Sequence, residues 1–197
     1  FAGRMGPPAV PGEYTITMRV GEQEHTTKVT LKGDPRIEMS QADYQAQHDA
    51  AKTLRDLTTK VNGAIDTTFN IEKQLTALKG QMEFAGNGGD TQQITEALDQ
   101  ALAELKELDN RLQRPVRGLN YRQYPRMQDE VRGLMFSMLG STTPPTEAQM
   151  TVLKELEHDS GLLLADVDKF VATTIQDLNQ MLGAFPKIMV MGTPTTE

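Results

Sequence analysis

Apolar residues recur at about every third or fourth position between Ser40 and Phe84, which is the spacing of one face of an α-helix. This stretch contains no proline and, before Gly80, one interior glycine, Gly63. At about 1.5 Å per residue, such a helix would be roughly 65 Å long. Its apolar stripe consists of Leu54, Leu57, Val61, Ile65, Phe69, Ile71, Leu75, Leu78 and Met82. One apolar face of this length must be covered by other helices, so we expect the chain to be organised around this helix.

Three further segments have the same helical spacing of apolar residues. The second helix is predicted to start at a capping box formed by Asp90 and Gln93, and the third runs over residues 126–139. The last helix follows a capping box of Thr146 and Gln149 and continues to about residue 182. Proline and glycine interrupt the chain between the second and third helices. The pattern predicts a mainly α fold, an elongated antiparallel three-helix bundle with a broken middle arm.

The sequence before the helices alternates between apolar and polar residues, which is typical of a half-buried β-strand. Residues 21–24 form a predicted turn, and residues 26–31 form the returning strand. The apolar side consists of Tyr14, Ile16, Met18 and Val20, and the other side of Thr15, Thr17 and Arg19. Residues 13–32 therefore predict a β-hairpin, which is marginally stable by itself in water. We expect it to be covered by the bundle, by residues 1–12 or by another protein.

Three regions follow from this order of elements. Residues 1–36 comprise an extended N-terminus and the hairpin, residues 37–183 the helical bundle, and residues 184–197 a C-terminal tail. The tail carries apolar residues beyond the predicted helix end at Gly183. Because such residues are unfavourable in water, Ile188 and Val190 are predicted to bind a partner.

Composition excludes several classes of function. The 197 residues carry a net charge of −7, which argues against nucleic-acid binding. The absence of cysteine excludes disulfides, thiolate metal sites and cysteine nucleophiles. No apolar run reaches the roughly 18 residues of a membrane span, so no transmembrane segment is expected. Because the chain begins at Phe1 and opens with glycine and proline, we expect a processed product or fragment of a longer precursor.

The sequence contains no recognisable catalytic or cofactor-binding motif. The patterns GxSxG and HExxH and the P-loop pattern do not occur. His25, His48 and His158 have acidic neighbours in sequence, but adjacent helix positions do not point to one site. We therefore interpret them as surface residues. No catalytic residue, metal or cofactor is predicted.

One local excess of positive charge stands out in this acidic chain. It lies between residues 111 and 132, and its acidic neighbours are Asp129 and Glu130. Arginine binds carboxylates and phosphates well, so the segment is a candidate docking surface for an acidic partner. The alternative is that the arginines pair with acids on neighbouring helices. The candidate residues are Arg111, Arg114, Arg117, Arg122, Arg126, Arg132, Tyr121 and Tyr124.

Several segments resemble the C-terminal region of bacterial sortilin-like, BNR-repeat β-propeller proteins, which are often described as glycosyl-hydrolase-like. Residues 11–16 and 34–36 resemble the end of their immunoglobulin-like domain, and residues 45–57, 122–139 and 145–149 resemble their helical C-terminus. The chain also resembles an extrinsic subunit of a bacterial photosynthetic reaction-centre–light-harvesting complex.

These resemblances imply a structural or interaction module rather than an enzyme, because the propeller that carries the hydrolase description is missing. They imply an extrinsic accessory subunit that stabilises a larger complex, membrane-embedded and photosynthetic by the second resemblance. Its location would be periplasmic or otherwise extracytoplasmic. The alternative is the detached C-terminal part of a glycan-processing enzyme. An enzyme needs the missing propeller, whereas an interaction module works without it.

Overall fold

The chain is a mainly helical bundle preceded by an antiparallel β-hairpin, as predicted, and 67% of it is helical. The computed structural model describes residues 6–85, 89–115, 124–183 and 185–190. The helices begin and end within one or two residues of the predicted bounds. The elements are β1 Gly12–Val20, β2 Gln23–Leu31, α1 Gln41–Ala85, α2 Gly89–Leu112, α3 Met127–Leu139, α4 Glu147–Phe170, a π-helical turn Val171–Ile175 and α5 Gln176–Met181.

The chain divides into two compact units. The first consists of the described residues of Phe1–Asp56 and Arg132–Lys154, which include the hairpin and the beginning of α1. The second consists of those of Leu57–Val131 and Glu155–Glu197, which include α2 and α5. The division into residues 1–36, 37–183 and 184–197 stays a prediction.

The first unit has a small aliphatic core and one buried amide that completes it. Gln47 is buried, and its Nε2 donates to the carbonyls of Met138 at 3.1 Å and Ser141 at 3.2 Å. Carbonyls at a helix C-terminus lack partners within the helix, so this side chain satisfies the end of α3. The core residues include Ala50, Ala51, Leu54, Leu134, Met135, Met138 and Leu153.

In the second unit, apolar faces of α1, α2, α4 and α5 contribute to the core, and polar pairs link the helices at the surface. Lys79 pairs with Asp99 at 2.5 Å, and the Thr174 hydroxyl donates to Glu104 at 2.9 Å. The fully buried side chains include Val61, Ile71, Leu75, Met82, Leu98, Leu112, Phe170, Ile175 and Leu182.

Local capping explains where two helices start. The Asp43 backbone N–H donates to the Ser40 hydroxyl at 3.2 Å, and the Ser40 N–H donates to the Asp43 carboxylate at 2.8 Å. Thr146 and Gln149 form the same reciprocal pair at 3.2 and 3.0 Å before α4. Both are capping boxes, and the sequence predicted the one before α4. The Asp90 side chain of the other predicted box lies outside the described residues.

Two details differ from the predicted stripes. Phe69 was assigned to the apolar stripe of α1 but is 49% exposed, with the Lys73 ammonium 4.0 Å from its ring centre. Thr68 takes the buried position instead, because its hydroxyl donates to the Ile65 carbonyl at 3.0 Å. The π-helical turn was not predicted. This turn spans the interval from Phe170 to Ile175, two buried residues that are five positions apart.

Replacing a buried leucine should destabilise either unit. Leu54→Ala in the first unit, and Leu105→Ala or Leu163→Ala in the second, should each lower the free energy of unfolding by about 2–5 kcal/mol, because each leaves a cavity. Leu162→Ala is the matched control: its side chain is 55% exposed, so the change should stay within about 0.5 kcal/mol. Denaturant unfolding measures both. Equal losses for Leu162→Ala and Leu163→Ala would show that the helix face is assigned wrongly.

Candidate partner-binding surfaces

The hairpin is a two-stranded sheet whose register separates two different faces. Tyr14 pairs with Val29, Ile16 with Thr27 and Met18 with His25, and alternate pairs project to the opposite face. The connection is a two-residue turn at Gly21–Glu22, shorter than predicted, with Gly21 at φ 60°. Such a positive φ favours glycine and matches the twist of the strands.

The polar face of the hairpin is electrically neutral and internally paired. Arg19 contacts Glu24 at 2.7 Å, and Lys28 contacts Glu13 at 2.8 Å. The remaining positions of this face are threonines at 15, 17, 26 and 30. Side chains of this kind are compatible with water, so this face needs no cover.

The apolar face of the hairpin is open to solvent. Six large apolar residues share it, and their exposed fractions run from 39% to 61%. Every residue of both strands is exposed. The prediction of a half-buried strand is therefore wrong: alternation indicated correctly that the faces differ, but none of the described residues buries the apolar one. These six residues, here called the hairpin face, are Tyr14, Ile16, Met18, Val20, Val29 and Leu31.

The base of the hairpin is held by one face of α1. The Gln41 amide donates to the Pro11 carbonyl at 2.8 Å, and His48 Nδ1 lies 2.8 Å from the Pro8 carbonyl. Because a carbonyl only accepts, His48 must donate from Nδ1. Tyr44 lies between these residues on the helix and covers Gly33, where an added Cβ would be 2.6 Å from the tyrosine hydroxyl oxygen. The spacing 41, 44, 48 is one helix face.

Two of the four described arginines of the predicted docking segment pair with acids within the second unit. Arg111 pairs with Asp166 at 2.8 Å, and Arg114 pairs with Asp129 at 2.8 Å. Asp129 also accepts from the backbone N–H of Arg126 at 3.1 Å, at the start of α3. These contacts favour the alternative of internal pairing for Arg111 and Arg114.

The other residues of that segment are placed differently. Arg132 is exposed on α3, and Tyr124 is 84% exposed. Arg126 is half-buried, with a buried Nε. Arg117, Tyr121 and Arg122 lie outside the described residues. An acidic partner would therefore find Arg132 and Tyr124 accessible among the described candidates.

The C-terminal segment places its two candidate residues in different surroundings. Ile188 is buried within the second unit, whereas Val190 is 38% exposed. Ile188 is therefore inaccessible to a partner while this segment stays in place. The sequence could not indicate this, because one side chain that holds the segment, Gln74, is more than a hundred positions away.

The described residues of α1 and α2 form a cleft of about 40 Å³, which is lined by Thr68, Glu72, Leu102, Leu105, Lys106 and Asp109. That volume holds about one water molecule. Among the described residues, no group of three or more histidine, aspartate or glutamate side chains is placed to hold a metal ion. Within the same ranges, no helix is both long and apolar enough to cross a membrane.

Comparison of the chain with protein-family models, curated proteins and solved structures finds no match.

The capping box that starts α1 should make the stability of the first unit sensitive to acid. Hydrogen bonds from the Ser40 hydroxyl and backbone N–H lower the pKa of Asp43. The folded-state pKa is thus below the unfolded value of about 3.9, so the stabilisation is complete above that value and is lost as pH falls further. Asp43→Asn, which cannot titrate, should remove this contribution.

The measurement is the free energy of unfolding from pH 7 to pH 2 for both chains. The difference between wild type and Asp43→Asn should be constant above about pH 5 and shrink below about pH 3.9. Asp66→Asn removes an exposed carboxylate from the middle of α1 and serves as the control. If the difference in unfolding free energy between wild type and Asp43→Asn stayed constant down to pH 2, the assignment of a lowered pKa to Asp43 would be contradicted.

Proposed function

We propose that this chain is a non-enzymatic interaction module that docks on a larger protein assembly as an accessory subunit. The hairpin is the docking element, and the helical units carry it. One observation supports the proposal above all others: the hairpin face exposes six large apolar residues on a sheet to which the described residues contribute two strands. Contiguous exposed apolar surface of this kind marks interaction sites.

The edges of the sheet support the same proposal. A two-stranded sheet leaves the outer N–H and C=O groups of both strands without ladder partners. A partner that adds a strand satisfies these groups. A second layer of the same partner, packed on the sheet, can then cover the hairpin face. The contacts of Gln41, Tyr44 and His48 support a defined presentation of the hairpin, because they fix its base on α1.

The occupant proposed here is a β-sheet of another protein with an apolar face. Nine residues at about 3.4 Å each and two strands give a hairpin footprint of roughly 300 Å². Face-to-face contact with the hairpin of a second copy would bury roughly 600 Å² in total, below the roughly 1,200 Å² of a stable interface. A larger sheet that also pairs with an edge adds the missing area.

The location proposed for the assembly is extracytoplasmic, and the assembly is membrane-bound. This part rests on the two sequence resemblances. The arginine segment has a smaller role than expected, since Arg111 and Arg114 already have acidic partners. Arg132 and Tyr124 remain candidates for a secondary contact.

Site-specific photo-crosslinking in cells that produce the native chain tests this function. A photo-reactive phenylalanine in place of Met18 lies on the hairpin face, and one in place of Thr17 lies on the polar face of the same strand. The first should give a discrete product with one larger protein, because the partner covers that face. Adding Ile16→Thr should reduce the product, while the strand propensity is kept.

The position-17 probe is the matched control and should give much less product. Equal crosslinking from both faces, or no product from position 18, would contradict docking through the hairpin face. A product of twice the mass of the chain would contradict the proposed occupant, because the hairpin would then contact a second copy.

A further inference from the structure

Two side-chain amides hold the chain beyond α5 at consecutive residues. The Asn179 amide accepts from the backbone N–H of Ile188 at 2.7 Å and donates to the Ile188 carbonyl at 3.0 Å. The Gln74 amide makes the same pair with Met189, at 2.8 and 2.9 Å. Each amide thus supplies one donor and one acceptor to a single residue, as a neighbouring strand does. These contacts recognise extended backbone and are independent of its side chains.

Selectivity for sequence comes from one buried side chain. Ile188 is 4% exposed, whereas its neighbour Met189 is 72% exposed. Of the two residues that the amides bind, Ile188 is therefore the one whose side chain must fit a buried position. A β-branched residue suits such an anchor, because it also favours the extended backbone that the amides require.

The residue before the anchor is specified by charge. The Lys187 ammonium donates to the carbonyl of Asn179, which lies in the last turn of α5. Carbonyls in a last helical turn lack helical partners and carry partial negative charge, so a cation is favoured there. These contacts together favour a basic residue followed directly by an apolar one.

We infer that this groove, formed by Gln74 of α1 and Asn179 of α5, is a peptide-binding site that the chain's own residues 185–190 occupy. The ligand that it takes from another protein is an extended segment with a basic residue directly before a β-branched apolar residue. The resident segment is a competing ligand within the same chain. It is held by one buried side chain and by hydrogen bonds that are exposed or half-buried, so it can detach without unfolding of the second unit.

Fluorescence anisotropy with a labelled synthetic peptide tests the site. The probe has the sequence of residues 185–190, Phe-Pro-Lys-Ile-Met-Val. The receptor is the full chain with Ile188→Asp. This substitution removes the buried apolar side chain of the resident segment. This variant should bind the peptide at least roughly tenfold more tightly than wild type, because the apparent affinity of the occupied groove is reduced by its vacant fraction.

Two matched variants and one matched peptide separate this site from non-specific binding. Asn179→Ala added to Ile188→Asp should weaken binding by roughly tenfold or more, because both backbone hydrogen bonds at the anchor are lost. Gln180→Ala, at the exposed neighbouring position, should leave binding unchanged. A peptide with aspartate in place of isoleucine should not bind. Binding that is insensitive to Asn179→Ala, or no saturable binding to folded Ile188→Asp, overturns the inference.

Hydrogen exchange of the wild-type chain is the second measurement, and it decides the matter if Ile188→Asp fails to fold. The backbone amides of Ile188 and Met189 should exchange at least roughly a hundredfold faster than the amide of the buried Leu178, because the segment detaches locally. Excess peptide should speed their exchange further. Exchange of all three amides at one common rate would overturn the inference, since the groove would then open only by unfolding.

Discussion

A two-stranded sheet cannot bury its own apolar face, and this constraint shapes the first unit of the chain. The hairpin separates paired charges and threonines on one face from six apolar residues on the other. Its base is fixed on α1 by Gln41, Tyr44 and His48, while the described residues leave the hairpin face open. Firm attachment at the base and exposure beyond it are what a docking element requires, since a preorganised contact loses less entropy on binding.

Side-chain amides connect irregular segments to the helices throughout the described chain. Gln41 donates to the segment before the hairpin and Gln47 to the end of α3. Gln74 and Asn179 both donate to and accept from the segment after α5. An amide carries both a donor and an acceptor, so it can replace a backbone partner where no strand is available. Side-chain amides can therefore order short non-helical segments on helices. They do so at the base of the hairpin and in the segment after α5.

Periodicity predicted the helices well, because each depends on residues within a few positions of one another. The Ser40–Asp43 and Thr146–Gln149 capping boxes are equally local. The residues that cover a strand face can be far away in sequence. Alternation from Tyr14 to Val20 therefore separated the two faces of the hairpin without showing that the apolar face is open. The Arg111–Asp166 pair and the Gln74–Met189 contact join residues 55 and 115 positions apart, and no pattern in one sequence connects them.

Hydrogen exchange of the hairpin amides tests most directly that another protein completes this sheet. The comparison is between the isolated chain and the same chain within the assembly recovered from its native source. Amides of Gly12–Val20 and Gln23–Leu31 should exchange more slowly in the assembly, while the buried amides of α2 keep their rates, because a partner strand and an apolar cover protect the hairpin alone. Equal exchange of the hairpin amides in both states would contradict the account.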